Sequence, residues 1–565
     1  MKGDFARVTF DPARHYSQVF QQQGRVLLEA DWNEQGHIQL HLLRTLVRDL
    51  IGPCWAAGTG FGLTTSTTDA DGAVKPLPLT DWQLAPGHFY VDGILCVNEA
   101  ACTLAAQPSR PTPDYGVADG KSGFENPPAS YALWLDVWER HLSAVEAPAI
   151  DDVALNGIDT CSRAQVVWQL RLLDQTLADQ QLDGIKAALN VRLKASTDAT
   201  TQAALKQQII DVGKLRNSID GKGNANDNDS PCAVVRQLLA ARATWALPRL
   251  SAQLGPVESD SDPCVIAADA RYRGCENQLY RVEIHQAGLA AVAGAAGGAS
   301  FKWSRENGSV IFPLVGSALG APASDGSAQM TVTLARLGRD ARLGLAVNDW
   351  VELVDDDYTL AQRAFPLLQV VAFDVADCSV TLGVPKNITP YQPSSDPRRH
   401  PLLRRWDQSG AVGAQGVVAV AEGVPITLED GIQISFTPGG VYATGDYWLI
   451  PARVAGNGML DWPVATAADG SASGPAALPP RGLHHYAVLG ITGDNGGYQE
   501  CCCRFGTLCD LIQTSQNQQS RAAKKGAVQA QPAAVALAVA GKAAPAKARS
   551  RKAGTKKATA PNKPV

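Results

Sequence analysis

The spacing of apolar residues changes several times along this chain. Ile38, Leu42, Leu43, Leu46, Val47 and Leu50 fall on one helical face. Gly52-Pro53 closes that run. Ahead of it, Asp31 followed three residues later by Glu34 has the form of a capping box, which predicts a helix with Asp31 as its N-cap. The period then falls to two. Segments 88–91 and 94–97 flank Asp92-Gly93, the strongest short hairpin signal. Segments 131–140 and 165–172 read as long strands. Helical spacing returns at Leu177, Leu182, Ile185, Leu189 and Leu193, and again at Leu205, Ile209, Val212 and Leu215. Ser196-Thr197-Asp198 interrupts the two runs, which predicts an αα-hairpin inserted between β elements. A further helix is expected over 232–245. Because the insert differs in composition from its flanks, a short linker in place of 174–226 is expected to leave a soluble, β-rich protein.

From 278 to about 490 nearly every periodic segment is strand-like. The candidates are 279–285, 301–304, 309–314, 330–335, 350–354, 367–373, 379–382, 426–428, 432–436, 447–450 and 486–489. Asn307-Gly308 and Asp430-Gly431 mark two more tight hairpins. The fold class is therefore mainly β with α insertions (α+β): an N-terminal helix, β-sandwich or barrel-like modules, an inserted helical hairpin and a disordered tail. The segments are 1–60 (docking motif and helix), 61–172 (β-rich, first part), 173–245 (helical insertion), 246–400 (β-rich, second part), 401–513 (C-terminal β module) and 514–565 (basic tail).

Composition alters this picture at one place. The 565 residues are 45% hydrophobic and 19% charged, enough for more than one core. The net charge of −5 conceals a division, since 514–565 hold 11 Lys/Arg and no acid. The remaining 39 basic residues face 55 acidic ones, a net of −16. The tail has no aromatic residue and no amphipathic period, so it cannot offset its ordering entropy by burial. A disordered polycation of this kind is suited to a polyanion or to its own acidic body. No signal-peptide pattern and no membrane-length apolar run is visible, so synthesis and assembly in the cytoplasm are expected. Twelve scattered Cys without a secretory signal are expected to be mostly reduced thiols.

Candidate chemistry is sparse. There is no nucleophile elbow, phosphate-binding loop, His-Glu-x-x-His or dinucleotide fingerprint, and no enzyme activity, cofactor or metal site is expected. Asp355-Asp356-Asp357 reads as a solvated turn. His484-His485 precedes Cys501-Cys502-Cys503 and Cys509 without the paired spacing that zinc favours, so buried thiols are expected there. His15 is expected to be packed and hydrogen-bonded. Trp134, Trp138, Trp168, Trp303, Trp350 and Trp448 lie in strands, where core packing is expected. The alternative is a sugar platform, which would make this a carbohydrate-binding or carbohydrate-active β protein.

The stretch 3–35 is dense in Asp, Arg, Gln and aromatic residues. Asp4, Arg7, Asp11, His15, Tyr16, Arg25, Asp31, Trp32, Asn33 and Glu34 are its candidate interaction residues. Arg7, Asp11, Arg25, Asp31 and Trp32 are expected to tie the first loop to the helix or to a partner subunit. With Gly3-Asp4-Phe5-Ala6-Arg7-Val8-Thr9-Phe10-Asp11-Pro12 and Gln22-Gln23-Gly24-Arg25-Val26 through Asp31-Trp32-Asn33-Glu34-Gln35, the chain resembles a family of uncharacterised proteins encoded with phage-tail-like contractile injection systems. Segments 276–285, 301–310 and 445–453 extend that resemblance, while Glu29 stands where the pattern has Asp. The resemblance implies a non-enzymatic structural or accessory subunit of such a particle, at the baseplate, fibre or periphery. Its partners would be other subunits or copies of itself, and it would be extracellular only within a released particle.

Overall fold

The computed structural model describes residues 1–110, 124, 127–128, 130–155, 159–220, 230–255, 271–290, 298–340, 342–410, 412–455, 458–466, 470–493 and 497–506. The expectation of a disordered basic tail over 514–565 lies outside these residues, as do Cys264 and Cys509.

The protein is mainly β with helices added, as its periodicity predicts. α1 spans Glu29–Ile51. The strands that matter most are β1 (Tyr131–Leu142), β2 (Arg163–Leu173), β3 (Gln278–Gln286), β4 (Ser300–Ser304), β5 (Trp350–Val354), β6 (Leu402–Trp406), β7 (Tyr447–Arg453) and β8 (His485–Thr492). β2, β1 and β8 lie side by side in one sheet, so a strand from near residue 490 completes a hairpin begun at residue 131. β4, β3 and β7 form the centre of a second sheet. A six-stranded barrel closes in the order Ile311–Leu319, Ala328–Leu334, Ser379–Val384, Leu368–Asp374, β5, β6. The expected boundary at 400/401 thus runs between strands of one closed barrel, because β6 pairs with both β5 and Ile311–Leu319.

Tight turns follow their sequence signals. Asp92 and Gly93 take φ of 49° and 80°, Asn307 and Gly308 52° and 68°, and Asp430 and Gly431 49° and 83°. Such pairs of positive φ are what a two-residue primed turn requires. Asn307-Gly308 nevertheless joins no hairpin: it carries the chain from β4 in the second sheet to the first barrel strand. At Gly93 a Cβ would fall 2.1 Å from the Arg44 carbonyl oxygen, so this turn is where α1 rests on the body.

The helical insert is α2 (Gln175–Ala195), α3 (Ala199–Ile219) and α4 (Pro231–Thr244). Asp174 and Asp198 cap α2 and α3 by accepting from the Leu177 and Thr201 amides. The expectation that this insert can be removed is corrected by its packing. Leu182, Ile185, Leu189, Leu238 and Leu239 share one core with Trp134 of β1 and Val488 of β8. A disulfide joins Cys232 of α4 to Cys501, across 269 residues. This also corrects the expectation of reduced thiols for this pair, since both cysteines are held together in a core where each is at most 5% exposed.

Candidate functional site

The chain opens with an extended arm that crosses the β3–β7 sheet before turning back along α1. Phe5 and Val8 pack on Leu279, Tyr447 and Leu449. The Asn307 side-chain amide donates to the Gly3 carbonyl at 2.8 Å, Arg281 to the Met1 carbonyl at 3.2 Å, and Arg453 to the Ala6 carbonyl at 2.5 Å. Tyr447 Oη meets the Met1 nitrogen. The motif segments 276–285, 301–310 and 445–453 therefore converge on this arm.

Beneath the arm lies a buried ionic network. In β3 the alternation places Arg281, Glu283 and His285 on one face, all at most 3% exposed. Glu283 accepts from Arg281 at 2.6 Å and stands 3.1 Å from Lys2 and 3.5 Å from Lys302. Lys302 of β4 also donates to Glu352 of β5 at 2.5 Å, and Glu352 further accepts from Tyr358 (2.6 Å) and Trp406 (2.9 Å). The Lys302 ammonium sits 4.4 Å over the Trp406 ring, and the Arg281 guanidinium 3.6 Å over Tyr447. Burial alone would raise both carboxyls. Lys302 and Lys2 more than offset this at Glu352, which falls to about 2, and Lys2 and Arg281 hold Glu283 well below its ordinary value. Burial pushes Lys2 down to about 8, although 27% of its side chain remains accessible. Burial first and neighbouring cations second drive His141 to about 2, and burial with Lys302 drives His285 to about 4.

A second paired cluster adjoins the first. Asp355-Asp356-Asp357 is not a solvated turn: Asp355 and Asp357 are 2% and 3% exposed. Asp355 caps the short helix α5 (Asp356–Ala361) and accepts from Tyr391 and Ser394. Asp356 takes Arg140 at 2.6 Å and His400 at 2.8 Å, and Arg399 stands 3.3 Å from Asp357. Cations supplied by β1 and by the loop before β6 make this burial affordable.

The predicted interaction residues divide. α1 begins at Glu29 with Leu28 as its uncapped N-cap, so Asp31 lies inside the first turn, where it complements the helix dipole instead of capping. Glu34 turns away from any capping box and accepts from Thr9 at 2.5 Å. Glu29 accepts from the Ala6 amide (2.9 Å), Gln35 from the Val19 amide (2.7 Å), and Phe10 stacks on His37. These residues join the arm to the helix. Arg7 pairs loosely with Asp461 at 3.7 Å, and Asp11 caps a short turn at Ala13. Asp4, Arg25 and Asn33 are exposed. His15 is also exposed, in the left-handed region at φ 56°, which corrects its expected packing. Tyr16 and Trp32 are 55% and 80% exposed.

Much of the apolar pattern of α1 faces away from the body. Of the helix, Ala30 and Ile38 are buried, while Trp32, Leu42, Leu43, Leu46 and Leu50 are 80%, 53%, 58%, 55% and 76% exposed. Phe20, Val26 and Leu27 of the arm add 77%, 81% and 75%. By contrast, Trp134, Trp138, Trp168, Trp303 and Trp448 are buried, with Trp350 partly so. These core positions remove the sugar platform on which the carbohydrate alternative rested. Among the described residues no group of three His, Cys, Asp or Glu is placed to hold a metal ion, and no helix is long and apolar enough to cross a membrane. His484 and His485 pair with Asp136 and Asp92 instead. The buried network escaped the sequence reading, although charges at 281, 283 and 285 in a predicted strand were a visible signal.

Comparison with known proteins gives one strong match. The profile described as "Family of unknown function (DUF6519)" covers residues 1–565. No curated protein matches the chain. Among solved structures, one titled "Crystal structure of TssK" is similar at 10% identity and a TM-score of 0.16, covering 74% of this chain and 98% of that one.

Proposed function

Since the chain belongs to the family of unknown function DUF6519, its role has to be read from its own surfaces, and we propose that it is a non-enzymatic structural subunit of a phage-tail-like contractile injection particle. α1 is the surface through which it joins that particle. The observation that carries this reading is the seam Trp32, Gly36, Gln39, Leu43, Leu46, Leu50. It steps 4-3-4-3-4 along α1, and every member is exposed. That is heptad spacing, so the occupant is a helix of a neighbouring subunit laid along α1. Gly36 permits close approach, and Gln39 supplies the polar seam position that sets register. The apolar members of the seam, Trp32, Leu43, Leu46 and Leu50, leave roughly 400 Å² of side-chain surface in water at about 150 Å² for each whole side chain, and the other exposed apolar residues of α1 and the arm bring the total to roughly 1,000 Å². A single-chain surface normally tolerates patches of about 300–600 Å², whereas a standard interface takes about 800 Å² from each partner.

The resemblance of the N-terminal, β3, β4 and β7 segments to proteins encoded with contractile injection systems supports this choice of particle. The buried network supports the same reading, because it holds the arm to a rigid sheet and so presents α1 in one orientation. The experiment is purification of the particle from its native host with the chain carrying Leu43→Glu and Leu46→Glu. The double variant keeps wild-type circular dichroism and melting as a free protein and is lost from the particle. Retention at the wild-type level, or absence of the unaltered chain from assembled particles, overturns the proposal.

A further inference from the structure

The seam on α1 fits a copy of itself. Its six positions are symmetric about the level of residue 41, with Trp32 balanced by Leu50, Gly36 by Leu46 and Gln39 by Leu43. The half towards the N-terminus holds Trp, Gly and Gln, and the half towards the C-terminus holds three Leu. Two α1 helices laid antiparallel in this register therefore place a Leu in every layer. Gly36 makes room for Leu46 of the second copy, and Trp32 covers its Leu50. Gln39 of the two copies falls in adjacent layers about 6 Å apart along the axis, where the side-chain amides can pair. Laid parallel, the same helices would set Trp32 against Trp32 and Gly36 against Gly36, one layer overfilled and the next empty.

On the reading of α1 as the docking surface, we infer that its occupant is α1 of a second copy of this chain, paired antiparallel about a two-fold axis at the level of residue 41. The positions beside the seam agree. Leu40 meets Leu40 and Leu42 meets Leu42 across the axis, and at each end Gln35 meets Asp49. Leu40 and Leu42 are 36% and 53% exposed. Gln35 accepts from the Val19 amide through its carbonyl oxygen, which leaves its amide nitrogen to donate. The Asp49 side chain is 67% accessible and pairs loosely with Arg48 at 3.9 Å. Among these flanking positions, Asn33, Gln35, Leu40, Leu42, Val47 and Asp49, there is one charge. Charges at such positions are what select a helix of different sequence, and α1 offers no such code. The body takes the other side of the helix, through Ala30, Ile38 and the Arg44–Glu139 pair. A two-fold contact uses the same patch on both copies. Each brings roughly 400 Å² from the seam and up to roughly 1,000 Å² with its apolar neighbours, against the about 800 Å² that a standard interface takes from each partner.

The test is sedimentation equilibrium of the free full-length chain at micromolar concentration. Twice the mass of one chain is expected, and the mass of one chain for Leu43→Glu/Leu46→Glu. Direction is read by oxidative cross-linking. A chain carrying both Gly36→Cys and Leu46→Cys should give a linked dimer beyond the level of the unaltered chain, because each position lies opposite the other. Neither substitution alone should do so, since its two copies stand about 15 Å apart along the axis at a rise of about 1.5 Å per residue. A single-chain mass for the unaltered chain, a dimer that Leu43→Glu/Leu46→Glu leaves intact, or cross-linking of a single variant to the level of the double one overturns the inference. Retention in the particle tests the broader reading separately. A monomeric chain whose Leu43→Glu/Leu46→Glu variant is lost from the particle refutes the second copy and assigns the seam to a different subunit.

Discussion

Lys302→Met is the substitution that most directly probes the network under the arm. Lys302 Nζ lies 2.5 Å from Glu352 and 3.5 Å from Glu283, and all three side chains are at most 5% exposed. Glu283 keeps Arg281 at 2.6 Å and Lys2 at 3.1 Å in the variant. Glu352 keeps the neutral donors Tyr358 and Trp406 and only the more distant Lys2 as a cation. Leaving a buried carboxylate without its cation costs about 3–5 kcal/mol, a large share of a typical 5–15 kcal/mol stability. Glu352→Gln in the same chain removes the orphaned charge, so the double variant should fall short of the summed single losses by about 2 kcal/mol. The loss is also pH-dependent. In the unaltered chain Glu352 sits at about 2, below its ordinary 4.5, so it supports the fold above pH 4.5 and that support fades as pH falls towards 2. Without Lys302 burial prevails and the folded value rises above 4.5. The protonated form then favours the fold below pH 4.5, and this support is lost as pH rises through the folded value. The gap between the two chains should therefore narrow from pH 7 to pH 5. Urea unfolding of both chains and the double variant measures all three quantities. A loss at pH 7 below about 1 kcal/mol, or a gap that does not narrow, would refute the reasoning.

The two buried histidines make a separate pH prediction. His141 and His285 hold at about 2 and about 4 in the fold against 6.5 unfolded. Below pH 6.5 the unfolded chain takes up protons that the folded chain refuses, costing up to about 1.4 kcal/mol per pH unit for each histidine. Urea midpoints at pH 7.5, 6 and 5 should fall steadily, and less steeply in His285→Gln; an unchanged slope in that variant counts against the assignment. Reduction of the Cys232–Cys501 disulfide should remove about 2–5 kcal/mol. Dithiothreitol then lowers the urea midpoint of the unaltered chain but not that of Cys232→Ser/Cys501→Ser, and equal responses would show that the link contributes nothing. Gly93→Ala places a methyl 2.1 Å from the Arg44 carbonyl oxygen at φ +80°, so it should cost more than about 1 kcal/mol and loosen α1. Unaltered stability and unaltered amide exchange along α1 would mean the helix does not rest on that turn.

Local patterns were the legible part of this protein. The strands at 279–285 and 447–450 and the turns at Asp92-Gly93 and Asp430-Gly431 follow from alternation and from residues that tolerate positive φ. What failed depended on partners far away in the chain. Asp355-Asp356-Asp357 looks like a solvated turn until Arg140 arrives from 216 residues away. Cys232 and Cys501 are unremarkable until the helical insert folds onto β8. The apolar run of α1 was legible as helical spacing, but the structure splits it, with Ile38 buried and Leu42, Leu43, Leu46 and Leu50 exposed, because periodicity does not tell which side meets the body. Likewise Arg7, Asp11, Arg25, Asp31 and Trp32 were expected to tie the arm to the helix or to a partner subunit, and within the chain it is Glu29, Glu34 and Gln35 that make the contacts with it. Residues of both kinds were present in one polar stretch, and only the path of the arm separates them.

The arm's contacts with Tyr447 and Arg453 carry a consequence for synthesis. Residues 1–9 leave the ribosome long before residue 453, and only then is their resting place complete. At about 5–20 residues per second, that interval is on the order of 20–90 seconds. Throughout it the arm lacks its anchor on the sheet and α1 is held by the Gly93 turn and the Arg44–Glu139 pair, with its apolar seam on offer to any nascent or finished chain nearby. Because the finished fold leaves the same seam exposed, a cell making this protein has to cover it from synthesis until assembly, by a chaperone or by a partner that is already waiting.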